Sequence, residues 1–121
     1  MLFQLPMLSL TEENYLKAIY HLSDGGAKSV LTNELAEAMS TKAASATDMI
    51  KKLSAKDLIS YEKYYGVNVT AKGKAEALGV VRKHRLWETF LVQKLAFTWD
   101  EVHEVAEQLE HIHSARLIDK L

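Results

Sequence analysis

Between Leu31 and Thr70 the sequence changes its apolar period, and that succession narrows the possible folds more than any other feature of the chain. NELAEAM (33–39) reads as a short second helix with Thr32 as its cap, followed by a tight polar turn at Ser40, Thr41 and Lys42. A third helix starts near Ala43 and places Ala46, Met49, Ile50 and Leu53 on one face. The period then drops to two. Ile59, Tyr61 and Lys63 alternate with Ser60, Glu62 and Tyr64, Tyr65-Gly66 makes a turn, and VNVT returns as a second strand. Two short helices across a three-residue turn, with a hairpin behind them, predict a winged helix-turn-helix.

The flanks are helical. Ser9-Leu10-Thr11-Glu12 is a capping box, and Tyr15, Leu16, Ile19 and Leu22 follow at helical spacing until Asp24-Gly25-Gly26 stops the helix. Thr70 can cap a fourth helix running from about Ala71 to about Lys94, although Gly73 and Gly79 each cost it roughly 1 kcal/mol relative to alanine. Thr98-Trp99-Asp100-Glu101 opens a fifth helix through His111 or Ile112, and a sixth begins at Ser114. The expected fold class is mainly α, with a winged helix-turn-helix over residues 1–73 followed by a helical domain over 74–121. The sequence stops inside an amphipathic helix, so it reads as part of a longer protein.

Composition removes several classes. With no cysteine there are no disulfides, zinc–thiolate sites or thiol nucleophiles. The longest apolar stretches fall short of the roughly 20 residues that span a bilayer. MLFQLPML is apolar but has no basic region or small-residue cleavage site, so a cytoplasmic protein is expected. A formal charge of −1 argues against charge-driven nucleic-acid binding but allows a local basic face. Charge is in fact segregated. Lys42, Lys51, Lys52 and Lys56 lie in one stretch, whereas residues 100–111 hold Asp100, Glu101, Glu104, Glu107 and Glu110 without a Lys or Arg.

The second helix of a helix-turn-helix enters the major groove. Its start and outer face here offer Thr41, Lys42, Ala44, Ser45, Thr47, Asp48 and Lys51, with Lys63 on the hairpin as a backbone contact. Hydroxyls can exchange hydrogen bonds with several bases, and lysines grip phosphates. No arginine occurs before Arg82, so specificity leans on hydroxyl, methyl and shape readout rather than on guanidinium–guanine pairs. The plainer alternative is a small helical domain with a solvated lysine face.

On a helical wheel His103, Glu107, Glu110 and His111 form a stripe beside the apolar one of Val102, Val105, Ala106, Leu109 and Ile112. His84 and Glu88 share a face of helix four at i and i+4. Three imidazoles and three carboxylates can therefore converge where two helices pack. That is a ligand set for Mn²⁺, Fe²⁺, Co²⁺, Ni²⁺ or Zn²⁺, and the lack of sulfur weighs against Cu(I) and iron–sulfur clusters. A solvated acidic face with unrelated histidines is the alternative reading of the spacing.

TEENYLKAIYHL, ELAEAM, LISYEKYYGVNVTAKGK, RKHRLWETFL and EVHEVAEQLEHI, spread from Thr11 to Ile112, carry a resemblance. In this order the chain resembles the iron- and manganese-dependent transcriptional repressors typified by the diphtheria toxin repressor and the manganese transport regulator. The resemblance implies a homodimer built by the helical domain, two metal sites per subunit activated by Mn²⁺ or Fe²⁺, and double-stranded operator DNA as partner. It implies His84, Glu88 and His103 as one ligand set and Glu107, Glu110 and His111 as the other, with Asn14 of helix one joining the second. Glu107 stands where the iron branch has Cys, Asn14 where helix one supplies Met or Asp, and Lys17 where the manganese branch has Glu. These departures disfavour a close manganese-type binuclear centre and point to iron-branch geometry with an oxygen donor in place of sulfur. Longer members continue into an SH3-like domain.

Two other readings stay beside this one. A regulator could sense an organic ligand near Trp87, Phe90 and Trp99, or the cluster could serve a metallohydrolase, although HExxH is absent.

Overall fold

The computed structural model describes residues 8–62 and 65–121, so Lys63 and Tyr64 of the hairpin lie outside the described residues. In chain order the elements are α1 (Leu10–Leu22), α2 (Thr32–Ala38), α3 (Ala43–Ala55), β1 (Ile59–Glu62), β2 (Gly66–Val69), α4 (Ala71–Leu95), α5 (Trp99–Leu109) and α6 (Ala115–Lys120). They fall into two compact units, one reaching to Ala75 and the other covering Glu76–Leu121, and α4 contributes to both. Among the described residues no helix is long and apolar enough to cross a membrane.

In the first unit the helix starts follow local chemistry. The Ser9 hydroxyl accepts from the Glu12 amide at 3.1 Å, and the Glu12 carboxylate accepts from the Ser9 amide at 2.9 Å, so two donors that a helix start leaves unpaired are satisfied. Asp24, Gly25 and Gly26 then all take positive φ and end α1. The α2 cap differs from expectation. Leu31 is the capping residue and Thr32 the first helical one, and the Leu31 amide donates to the Glu34 carboxylate at 3.0 Å. A carboxylate three residues on does here what a threonine hydroxyl was expected to do.

Leu58 is nearly sealed from solvent and Val67 of β2 fully so, as are Leu16 and Ile19 of α1, Leu35 of α2, and Ala46 and Leu53 of α3. The five helical residues among them are the apolar positions of three helical stripes, which is why the three helices close on one another. The hairpin is antiparallel and pairs Ile59 with Val69 and Tyr61 with Val67. Its alternation is not mirrored in burial, because along β1 only Ile59 is covered. Val67 also exchanges backbone hydrogen bonds with Val30 at 2.7 and 2.8 Å, which docks the hairpin on the segment before α2. Gly66 sits at φ +98°, and a Cβ there would meet the Val30 carbonyl oxygen at 2.4 Å, so only glycine fits this junction.

The end of α3 is tied down twice. The Lys56 ammonium lies 2.7 Å from the Glu12 carboxylate, and the Lys72 ammonium donates to the Lys56 carbonyl at 3.0 Å. Burial works to raise the carboxyl pKa of Glu12, but the Lys56 ammonium and the Ser9 amide outweigh it and hold that pKa below the usual carboxylate value. A depressed carboxyl stabilises the fold above its ordinary pKa and loses that contribution as pH falls through the folded value. Urea midpoints of the native chain should therefore drop on acidification. Lys56→Met should begin lower at neutral pH and fall less steeply. Parallel pH profiles for the two proteins would count against the pair.

In the second unit Trp87 and Leu91 of α4 pack with Val102 and Ala106 of α5, and Phe90, Val105, Leu109, Ile112 and Leu117 close around them. Here α5 is shorter than expected. It ends at Leu109 with Glu110 as its C-cap, and the Ile112 amide turns back to the Leu109 carbonyl at 3.1 Å. Ser114 then caps α6 by accepting from the Leu117 amide at 3.2 Å.

Candidate functional site

The metal-ligand candidates of the second unit sit on α4, on α5 and just beyond α5. His84 and Glu88 are one turn apart on α4, and His84 Nε2 lies 3.2 Å from Glu88 Oε2. His103 reaches across from α5, with Nδ1 at 3.2 Å from His84 Nε2 and 3.7 Å from Glu88 Oε2. One ligand atom from each of the three lies within 4.8 Å of the others. Ligands held about 2.0–2.2 Å from a divalent ion stand about 3.0–3.5 Å from one another, so this triangle has the dimensions of one face of a coordination shell. The rings of His84 and His103 cross edge to face, which lets both nitrogens point at a shared space.

The other three candidates continue from this cluster. His103 Nε2 lies 3.2 Å from Glu107 Oε1. Glu110 is fully buried, with Oε1 at 2.6 Å from His84 Nδ1 and an Oε2 at 3.8 Å from His111 Nε2. The stripe expected along one helix is thus split. His103 and Glu107 lie on α5, whereas Glu110 is its cap and His111 follows in the turn. All six side chains are nevertheless linked within one unit by short contacts.

The donor chemistry fits a divalent cation. With a neutral imidazole, His84 has a single ring proton, and Glu110 at 2.6 Å is its closest acceptor. The Nε2 lone pair then faces the Glu88 carboxylate at 3.2 Å, an acceptor against an acceptor. A cation between them relieves this opposition. The six groups are nitrogen and oxygen donors only, suited to Mn²⁺, Fe²⁺, Co²⁺ or Zn²⁺. Asn14 lies on α1 in the first unit and is half-buried.

On the helix-turn-helix, Lys42, Ala44, Ser45, Thr47, Asp48 and Lys51 are exposed and Thr41 is partly so, whereas Ala46, Met49, Ile50 and Leu53 face the core. Ser40 takes φ +52° in the turn that aims α3. A hollow of about 500 Å³ runs beside this face, bordered by Thr47 and Lys51 of α3, Thr32 of α2 and Tyr61 of β1. Tyr61 was not among the sequence candidates. Its place in the alternating strand left open which side of the hairpin it would take.

The aromatic candidates do not form a shared site. Trp87 and Phe90 belong to the core, edge to face with centroids 5.8 Å apart, while Trp99 is 70% exposed at the start of α5.

Residues 7–67 match the family model described as the iron dependent repressor N-terminal DNA binding domain. Residues 70–121 match the iron dependent repressor metal binding and dimerisation domain. The chain belongs to the iron-dependent repressor family. Within this family it is 33% identical over 114 residues to an HTH-type transcriptional regulator of Methanocaldococcus jannaschii, covering 94% of this chain and 91% of that protein. It is 31% identical over 102 residues to the diphtheria toxin repressor of Corynebacterium jeikeium, covering 84% of this chain and 42% of the repressor. A solved manganese-dependent transcriptional repressor in complex with manganese superposes with a TM-score of 0.76 at 40% identity, over 90% of this chain and 50% of that one. The chain thus spans about half the length of some of its relatives and nearly all of the archaeal regulator's. The two matched models are those of a DNA binding domain and of a metal binding and dimerisation domain, and they do not favour the organic-ligand or metallohydrolase readings.

Proposed function

We propose that this chain is a homodimeric, cytoplasmic repressor of metal-homeostasis genes that grips its operator when Mn²⁺ or Fe²⁺ occupies the cluster of the second unit. The supporting observation is the donor triangle of His84, Glu88 and His103, in a chain whose first unit presents an exposed face of hydroxyls and lysines. His84, Glu88 and His103 would hold one ion. Glu107, Glu110 and His111 would hold another, and Asn14 keeps its assignment as an amide oxygen donor on sequence grounds. The ion supplies positive charge that gathers acids and imidazoles into a single arrangement. The protein acts by binding and turns over no substrate.

At the duplex, Thr41, Lys42, Ala44, Ser45, Thr47, Asp48 and Lys51 would meet bases and phosphates from the first turns of α3, and Tyr61 would stand beside the adjoining backbone. Lys63 keeps its assignment as a hairpin contact on sequence grounds. A dimer reads two half-sites about 34 Å apart, one helical turn of DNA. Metal acts if it binds the conformers with that spacing better than the rest, which is a coupling free energy between ion and operator.

The test is a gel-shift titration with the cognate duplex at fixed salt. Chelator-stripped protein should bind at least about 10-fold more weakly than Mn²⁺-loaded protein, within the 5–150-fold range of ordinary allosteric coupling. Equal grip with and without the ion would overturn the reading.

A further inference from the structure

We propose that Glu110 is a positioning residue for the three-donor cluster: its carboxylate accepts a hydrogen bond from Nδ1–H of His84, which keeps that proton on Nδ1 and commits Nε2 as the atom that faces the ion. The inference rests on the metal reading above and assigns Glu110 a task beyond membership of the second ligand set.

Three observations carry it. Glu110 is fully buried, and a carboxylate in that setting is costly unless it is hydrogen-bonded or paired. Its Oε1 stands 2.6 Å from His84 Nδ1, closer than either partner of His84 Nε2. The opposite edge of the same ring points Nε2 at Glu88 Oε2 and His103 Nδ1, each at 3.2 Å. A neutral imidazole has one proton, so its position decides which nitrogen can ligate. A carboxylate behind a ligating histidine fixes the tautomer, orients the ring and raises its basicity.

Glu110 also explains how the two donor sets meet. One oxygen is engaged by His84, while Oε2 lies 3.8 Å from His111 Nε2. The acid is therefore shared between a ligand of the first set and a member of the second. At the C-cap of α5 its backbone is still right-handed helical and its amide donates to the Ala106 carbonyl at 2.9 Å, so Glu110 keeps the face of α5 that carries His103 and Ala106.

The experiment uses the full chain carrying His111→Ala, which removes one donor of the second set, and titrates it with Co²⁺ while recording visible absorption. Adding Glu110→Gln should weaken Co²⁺ binding at the cluster by about 10–100-fold and shift its absorption bands, since the amide is a poorer partner for the Nδ1 proton. Unchanged affinity and spectrum would overturn the positioning role. Adding Glu88→Gln to the same background separates the two readings. If that change also leaves Co²⁺ binding intact, the metal site itself is wrong. If it abolishes binding while Glu110→Gln does not, only the positioning role falls. Should Glu110→Gln fail to fold, ¹⁵N spectra of the Zn²⁺-loaded His111→Ala protein decide instead. Protonated Nδ1 and metal-bound Nε2 at His84 are expected, and metal bound through Nδ1 would overturn the proposal.

Discussion

Glu88→Gln will strip the protein of its metal response and leave its fold in place. The side chain is about one-quarter exposed and lies on the surface of α4, so a carboxamide of the same shape fits without repacking. The exchange removes a full negative charge from a cluster whose other two donors are imidazole nitrogens 3.2 and 3.7 Å away. It also puts an amide N–H donor within reach of nitrogens whose lone pairs the ion needs. Binding of Mn²⁺ at this cluster should fall by more than roughly 100-fold, beyond the 10–100-fold typical of a ligand's outer partners. Calorimetry reads the affinity, and circular dichroism in chelator should show a melting curve close to the parent's. Operator binding at limiting Mn²⁺ should be lost with the affinity. A variant that still loads Mn²⁺ at the parent's midpoint would remove Glu88 from the ligand set.

One substitution at two glycines of α4 will move stability in opposite directions. At Gly73 an added Cβ would stand 1.9 Å from the Leu58 carbonyl oxygen and 3.2 Å from a Val69 methyl. That carbonyl already accepts from the Thr70 amide at 3.2 Å, so it cannot retreat without losing a bond of its own. Overpacking costs typically 1–3 kcal/mol, and backbone in the way puts Gly73→Ala at about 3 kcal/mol or above. Gly79 has nothing within 4 Å of its hypothetical Cβ. There the backbone entropy of glycine is the main cost, and Gly79→Ala should gain up to about 1 kcal/mol. Chemical unfolding of both variants measures the pair. Two shifts of the same sign would contradict the packing of α4 on the loop after α3.

What could be read from sequence was what is decided within a few residues. The Ser9–Glu12 box, the Thr70 cap, the Asp24-Gly25-Gly26 stop and the Ser114 start each depend on neighbours along the chain. Helical spacing likewise put Ala46, Met49, Ile50 and Leu53 on the core side of α3. Two misses were local and one was distant. Thr32 yielded the cap of α2 to Leu31 and Glu34, a choice between two local solutions that propensity does not rank. The α5 helix closed at Leu109 with Glu110 as its cap, two or three residues short of the expected end, and periodicity alone does not fix such a boundary. The bond from His84 to Glu110 spans 26 positions and depends on how α4 and α5 are rotated about their own axes, which no periodicity encodes. Both residues were legible as ligand candidates, but their pairing was not.

The two indoles of this chain differ in a way that experiment can exploit. Trp87 is nearly buried in an apolar core, directly before Glu88, with its Nε1 shielded from water, while Trp99 stands in solvent. Emission from the first will be blue and hard to quench with iodide, and emission from the second red and easily quenched. Because Trp87 packs against Val102 and Ala106 of α5, the helix that carries His103, the blue component is expected to shift if ion loading repacks α4 on α5. A Trp99→Phe protein isolates that component, and an emission spectrum that Mn²⁺ leaves unchanged would show that the core stays still on loading.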